Sequence, residues 1–315
     1  MANNDSQMVI TCLYCHKQYR VDRAKLQSTV RKAHCKACGA TFPLPLEDES
    51  ASRQPEARSE ATPAGKRTPR RLAISLNKVG MGKTSTAVTL AAGLAAAGFK
   101  VLLVDADPHG QAAPYLGVKP PGGLAEAING TVPPDKAMVQ ARENLWLLAG
   151  GKALAGLECF AAGRATQSVQ IVDRTLAPLE KEFAYVLVDT SPEWDPLTVS
   201  VLFYVRELLI PVSMEVMSVQ GFGEFLQLVD PIDKLVDGRR LKYILPTFYD
   251  PRVKKAVDIH EKFVHVYGDL VCAPIYYSGQ LKEYTAGGKT VFDLGTDSKC
   301  LQDYEALVKK VVNDT

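Results

Sequence analysis

Residues 72–90, LAISLNKVGMGKTSTAVTL, constrain the chain most. An apolar run at 72–77 leads into a glycine loop, Lys78-Val79-Gly80-Met81-Gly82-Lys83-Thr84. Apolar residues at helical spacing follow: Ala87, Leu90, Ala91 and Leu94. Strand, tight loop and helix in that order predict a cradle for a triphosphate. Glycines let backbone N–H groups turn toward phosphate oxygens, and the helix N-terminus adds partial positive charge. In such a cradle Lys83 reaches the β- and γ-phosphates and the Thr84 hydroxyl takes a position on Mg²⁺. The expected nucleotide-binding set is Lys78, Val79, Gly80, Met81, Gly82, Lys83, Thr84 and Ser85. The usual pattern, G-x-x-x-x-G-K-S/T, is not fully met. Asn77 stands where its first glycine belongs, and Lys78 opens the loop.

Two more apolar runs end in acid. Residues 101–105, VLLVD, predict a buried parallel strand that opens into Asp105-Ala106-Asp107-Pro108-His109-Gly110-Gln111. Carboxylates at the C-terminal end of a strand beside a phosphate loop are placed for Mg²⁺ and water. Residues 184–189, AYVLVD, predict a second such strand, and its closing Asp189 fits a carboxylate that holds Mg²⁺ through water. Further strands are expected at 144–149, 207–211, 241–246 and 270–275. Helices are expected at 124–129, 152–162, 166–183, 219–236, 278–286 and 298–312. Alternating strands and helices predict an α/β fold: a doubly wound, mostly parallel sheet flanked by helices.

The N-terminal part has different chemistry. Cys12-x2-Cys15, nineteen intervening residues and Cys35-x2-Cys38 have the spacing of a four-thiolate zinc site, and no thioredoxin-like pattern surrounds either pair. So small a segment buries little surface, and Zn²⁺ would supply most of its folding free energy. Residues 1–46 resemble the short zinc-ribbon fingers of many bacterial proteins, in which the metal is structural and the role is protein or nucleic-acid contact. Residues 47–70 mix Pro, Ser, Ala and charge without an apolar period and predict a flexible linker. The net charge is only +2, and the basic excess lies before residue 72. The chain has no uncharged apolar run of membrane-spanning length and no signal-peptide layout at its start, which predicts a cytoplasmic location with reduced thiols.

The lysine-led loop is similar to the deviant Walker A loop of the ParA/MinD superfamily, K-G-G-x-G-K-S/T, with Val79 in place of the first glycine. A β-branched residue disfavours positive φ, so either the loop needs none there or its geometry differs. Residues 105–111 match that superfamily's D-x-D-P-Q-G-N, with His109 and Gln111 in place of Gln and Asn. Residues 189–192 match its D-x-x-P switch, and residues 280–312 resemble the C-terminal signature of ParA proteins. In those proteins the loop matching residues 275–277 lies near the base, although Tyr276 here replaces the usual proline. The resemblance covers residues 72–315 and implies a P-loop ATPase domain over 71–315. It implies ATP and Mg²⁺ as cofactors. It implies that Lys78 reaches across a nucleotide-sandwich dimer to the partner's phosphates and that Asp107 orients the attacking water. Thr84, Asp105 and Asp189 would serve the magnesium, and Lys78, Lys83 and Asp107 would be the catalytic set.

The same resemblance implies slow intrinsic hydrolysis, a homodimer with ATP and binding to nucleoid DNA without sequence preference. It also implies stimulation by a partner protein of ParB type or a cargo adapter, and no membrane. Arg252, Lys254 and Lys255 are the first candidates for DNA phosphates, and Arg239 and Arg240 the second. Three other readings compete. A nucleotide-binding adapter would use the same loop with little turnover. A membrane-cycling relative of MinD would need a free amphipathic C-terminal helix, whereas Leu307, Val308, Val311 and Val312 are expected to pack on the domain. A redox ATPase like nitrogenase iron protein would need cluster cysteines, whereas Cys159, Cys272 and Cys300 are expected to be buried thiols.

Overall fold

Strands buried on both faces need helices on both faces, and that requirement organises the larger part of this protein. The computed structural model describes residues 7–11, 18–22, 32–34, 36, 41–43, 68–157, 168–236, 241–294 and 298–314. The chain divides into two units, Met1–Pro63 and Ala64–Thr315.

In the first unit β1 (Gln7–Thr11) pairs antiparallel with β2 (Gln18–Asp22), and β3 (Lys32–His34) pairs antiparallel with β4 (Thr41–Pro43). Each hairpin strand that precedes a Cys-x2-Cys pair ends one residue before that pair's first cysteine in the sequence. Cys12, Cys15, Cys35 and Cys38 themselves lie outside the described residues.

The second unit runs β5 (Arg70–Ile74), α1 (Lys83–Ala96), β6 (Val101–Ala106), α2 (Ala112–Leu116), α3 (Leu124–Asn129) and α4 (Pro134–Ala137). It continues through β7 (Val139–Arg142), β8 (Leu145–Leu148), α5 (Ile171–Leu176), β9 (Tyr185–Thr190), α6 (Pro196–Tyr204) and β10 (Glu207–Ser213). It closes with α7 (Val216–Leu235), β11 (Leu241–Thr247), α8 (Lys254–Tyr267), α9 (Gly279–Ala286) and α10 (Lys299–Asn313). Seven strands form one sheet in the order β11-β10-β5-β9-β6-β8-β7, parallel except for the antiparallel edge pair β7–β8. Alternate residues of each central strand enter opposite cores. Leu102, Val104, Val186 and Val188 face one helix layer, and Val101, Leu103, Tyr185 and Leu187 face the other. Helices α1 and α10 cover the second face, and Gly93 lets them close up: a Cβ there would lie 2.6 Å from Val308 and 2.7 Å from the Phe292 ring.

Several expected elements are corrected by proline. The segment expected as a strand at 270–275 follows the edge of β11 through Cys272 N–H to Ile244 O and Ile275 N–H to Pro246 O. Pro274 interrupts that ladder because it has no N–H, so only isolated bridges form. The helix expected at 166–183 ends at Leu176, two residues before Pro178, and resumes only as a short 3₁₀ turn at Glu180–Glu182. The helix expected at 152–162 is a 3₁₀ turn, Lys152–Gly156, and residues 158–167 lie outside the described part. The edge strand β7 and the helices α6 and α8 had no counterpart among the expected elements.

Candidate active site

The phosphate loop joins central strand β5 to α1. Gly80 and Gly82 adopt φ of 80° and 83°, the left-handed region that a side chain disfavours. Val79 does not need it: among the described residues only Asn144 and Phe248 are non-glycine residues with positive φ. Val79 instead sits at the tip of the loop, 75% exposed. Met81 is buried, and its carbonyl accepts a hydrogen bond from the Thr247 hydroxyl at 3.1 Å, which ties the loop to the end of β11.

Lys83 is buried at the first position of α1, and its Nζ donates to the carbonyl of Lys78 at 2.8 Å. Burial lowers its pKa, while the carboxylates of Asp189 and Asp107 favour the charged form. The Lys78 side chain runs beside α7, where Cβ on Gly221 would stand 3.4 Å from its Cδ.

Parallel pairing brings the acids to the same place. Asp105 on β6 is the direct partner of Asp189 on β9, and Ile74, the last residue of β5, pairs with Asp189 on its other side. Asp105 is fixed by the backbone N–H groups of Asp107 and Ala112, each at 3.0 Å. Burial pushes its carboxyl up to about 6, the backbone donors pull it down, and the charge of Asp107 raises it. Asp189 is fully buried, and burial followed by repulsion from Asp105 pushes its carboxyl well above the usual range. The Thr84 hydroxyl and Lys83 oppose that shift, yet neither Asp189 oxygen meets a donor at hydrogen-bond geometry among the described residues. A buried carboxylate with bare oxygens fits a hydrated divalent cation. Among the described residues no three His, Cys, Asp or Glu side chains converge as a metal site of their own.

Sequence reasoning missed the floor beneath these acids. Gly150 and Gly151 follow β8, and a Cβ on Gly150 would lie 2.6 Å from the Asp107 carbonyl and 2.7 Å from Asp105 Oδ1. The Gly151 N–H donates to the Asp107 carbonyl at 3.1 Å. The only signal was a Gly-Gly pair at a strand end. A second omission is Phe248, held at φ 52°. With Gly82, Ser85, Thr247, Tyr276 and Leu281 it lines a cleft beside the phosphate loop. Tyr276 is fixed there by its N–H to Asp303 Oδ2 at 3.0 Å and by Lys299 over its ring at 4.5 Å.

A family model described as an AAA domain matches residues 69–241, and one described as a zinc-ribbon domain matches residues 8–43. The chromosome-partitioning ATPase Soj of Thermus thermophilus is 31% identical over 77% of this chain and 95% of its own. The chain belongs to the ParA/MinD family of P-loop ATPases. It also carries a zinc-ribbon domain at its N-terminal end. Among solved ParA/MinD-like folds, a Cyanothece McdA variant bound to ATP superposes with a TM-score of 0.69 at 24% identity, over 78% of this chain and 97% of that one. A cobyrinic acid a,c-diamide synthase of Mycobacterium smegmatis, solved with an ATP analogue and magnesium, gives 0.66 at 29% identity over 78% and 94%.

Of the other expected residues of this ParA/MinD chain, Arg252, Lys254 and Lys255 are exposed at the start of α8, while Arg239 and Arg240 lie outside the described residues. Arg252 is already engaged, with Nη2 2.8 Å from Asp250 Oδ2. Cys272 and Cys300 are buried free thiols, pushed up by burial to about 12 and about 11, and Cys159 lies outside the described residues. Leu307, Val308 and Val311 are buried in the core that α1 shares. No helix among the described residues is long and apolar enough to cross a membrane.

Proposed function

We propose that this chain is a ParA-type ATPase switch. ATP binds at residues 78–85 and closes two chains face to face, with Lys78 of each meeting the nucleotide held by the other. The closed dimer holds DNA without sequence preference, and a partner of ParB type or a cargo adapter accelerates slow intrinsic hydrolysis. The protein works in the cytoplasm on the nucleoid. Its likeness to the chromosome-partitioning ATPase Soj supports partitioning or positioning of DNA, or by extension of a protein cargo, as the task.

The observation that carries this reading is the bond between the two lysines of the loop, Lys83 Nζ to the Lys78 carbonyl. It holds the Lys83 ammonium against the backbone of the residue that opens the loop, and a phosphate entering the cradle would compete for it. Asp107 presents a carboxylate to the attacking water, and Lys83 and Lys78 offset charge on the phosphoryl oxygens. Thr84, Asp105 and Asp189 would serve the Mg²⁺ that accompanies the nucleotide, and that ion would supply charge neutralisation on the phosphates. Phe248 and Tyr276 flank the base. Exposed Arg252, Lys254 and Lys255 supply the DNA contacts, doubled in a dimer. Cys12, Cys15, Cys35 and Cys38 would hold one Zn²⁺, whose binding would supply folding free energy to the ribbon.

The apolar side of α10 is buried in the core, so this helix does not present it to a membrane. Val79 has no positive φ, which supports a cradle in which that residue imposes no backbone strain. The test is phosphate release from Mg·ATP by the full chain, with retention on duplex DNA followed in parallel. A low rate together with ATP-dependent retention is expected. Tight ATP binding with no phosphate release under any condition would instead establish the adapter reading.

A further inference from the structure

Asp107 is pinned more completely than its neighbours. Its N–H donates to Asp105 Oδ1 at 3.0 Å, and its carbonyl accepts from Gly110 at 3.0 Å and from Gly151 at 3.1 Å. Its carboxylate is bound on one oxygen only. Oδ1 accepts the backbone N–H of His109 at 2.8 Å and stands 2.8 Å from ring Nδ1 of the same residue. Oδ2 has no hydrogen-bond partner among the described residues.

We propose that His109 is a positioning residue for hydrolysis: its ring nitrogen holds Asp107 Oδ1, so that Oδ2 is the oxygen turned to the attacking water. This rests on the ATPase reading above. The His109 side chain is 71% exposed and makes no other side-chain hydrogen bond among the described residues. An exposed hydrogen bond contributes little to stability. Its consequence is geometric, since it adds a second restraint on χ2 of Asp107 to that of the His109 N–H, and misplacing a reacting group by about 1 Å costs on the order of 100-fold in rate. The contact is a hydrogen bond when Nδ1 is the protonated ring nitrogen, which then donates to the carboxylate oxygen.

Covalent geometry makes the idea specific. Asparagine carries its amide nitrogen the same number of bonds from Cα as histidine Nδ1, whereas phenylalanine keeps the ring and has no donor. The full chain is therefore compared with His109→Ala, His109→Phe and His109→Asn. Turnover is read from phosphate release and nucleotide affinity from a fluorescent ATP analogue. Expected are kcat losses of about 10- to 100-fold for Ala and Phe, the scale of a misplaced reacting group. Affinity should stay within twofold throughout, and Asn should recover most of the rate. Unchanged kcat in Ala and Phe would overturn the inference and leave the ATPase reading intact. So would an Asn variant as slow as Phe, or affinity falling in step with rate. A wild-type chain that does not hydrolyse ATP would overturn both.

Discussion

Asp105 and Asp189 face each other in direct register on adjacent parallel strands, and both are fully buried. Two acids so placed cannot both ionise cheaply without a cation, and burial raises both carboxyl groups. The folded nucleotide-free protein therefore holds these protons more tightly than the unfolded chain does. The stability that Asp105 contributes in this way is full below 3.8 and is lost as pH rises through about 6, and burial displaces the loss for Asp189 upward from the usual range as well. Thermal melts without nucleotide should fall from pH 5 to pH 7. Asp189→Asn should melt several degrees higher at neutral pH, with a flatter pH dependence, and should lose magnesium-dependent nucleotide binding. A variant less stable than wild type at neutral pH would contradict this.

Gly150 leaves no room for a side chain, because the atoms it would meet are the Asp107 carbonyl and the Asp105 carboxylate rather than flexible termini. Gly150→Ala should lower stability by about 1–3 kcal/mol, the usual cost of overpacking. It should lower kcat by roughly 10- to 100-fold through displacement of both acids. Chemical denaturation and phosphate release measure the two effects. A fully active Ala variant would show that this floor does not set the acids.

Phe248 occupies a conformation that costs a non-glycine residue about 1–3 kcal/mol, and it does so against Gly82, where a Cβ would sit 3.4 Å from its ring. A base stacked on that ring would gain about 1–3 kcal/mol. Phe248→Ala should therefore weaken ATP binding by roughly 5- to 100-fold, with kcat at saturating ATP little altered. Equilibrium titration with a fluorescent analogue checks it, and unchanged affinity would remove Phe248 from the base site.

The centre of the sheet was legible because its physics is local. The runs at 101–105 and 184–189 are apolar at every position and close on an aspartate, so burial on both faces and the polar strand ends are written residue by residue. The phosphate loop was equally plain, Val79 apart. What could not be read comes from topology. Thr247 reaches Met81 across 166 residues, and Gly150 meets Asp105 only because β8 lies beside β6. Helix α8 was missed because only Ala256 and Phe263 are buried along it, too sparse an apolar pattern to stand out. Pro178 and Pro274 were visible, but their breaking effect was outweighed by the apolar residues around them.

The switch account turns on Lys78, and the size of the full chain in solution tests it most directly. Light scattering on a sizing column should give a monomer without nucleotide and a dimer with Mg·ATP for Asp107→Ala, in which hydrolysis is blocked. The doubly substituted Lys78→Ala, Asp107→Ala chain should bind ATP yet remain a monomer. A double variant that dimerises with ATP as readily as Asp107→Ala alone would contradict the account.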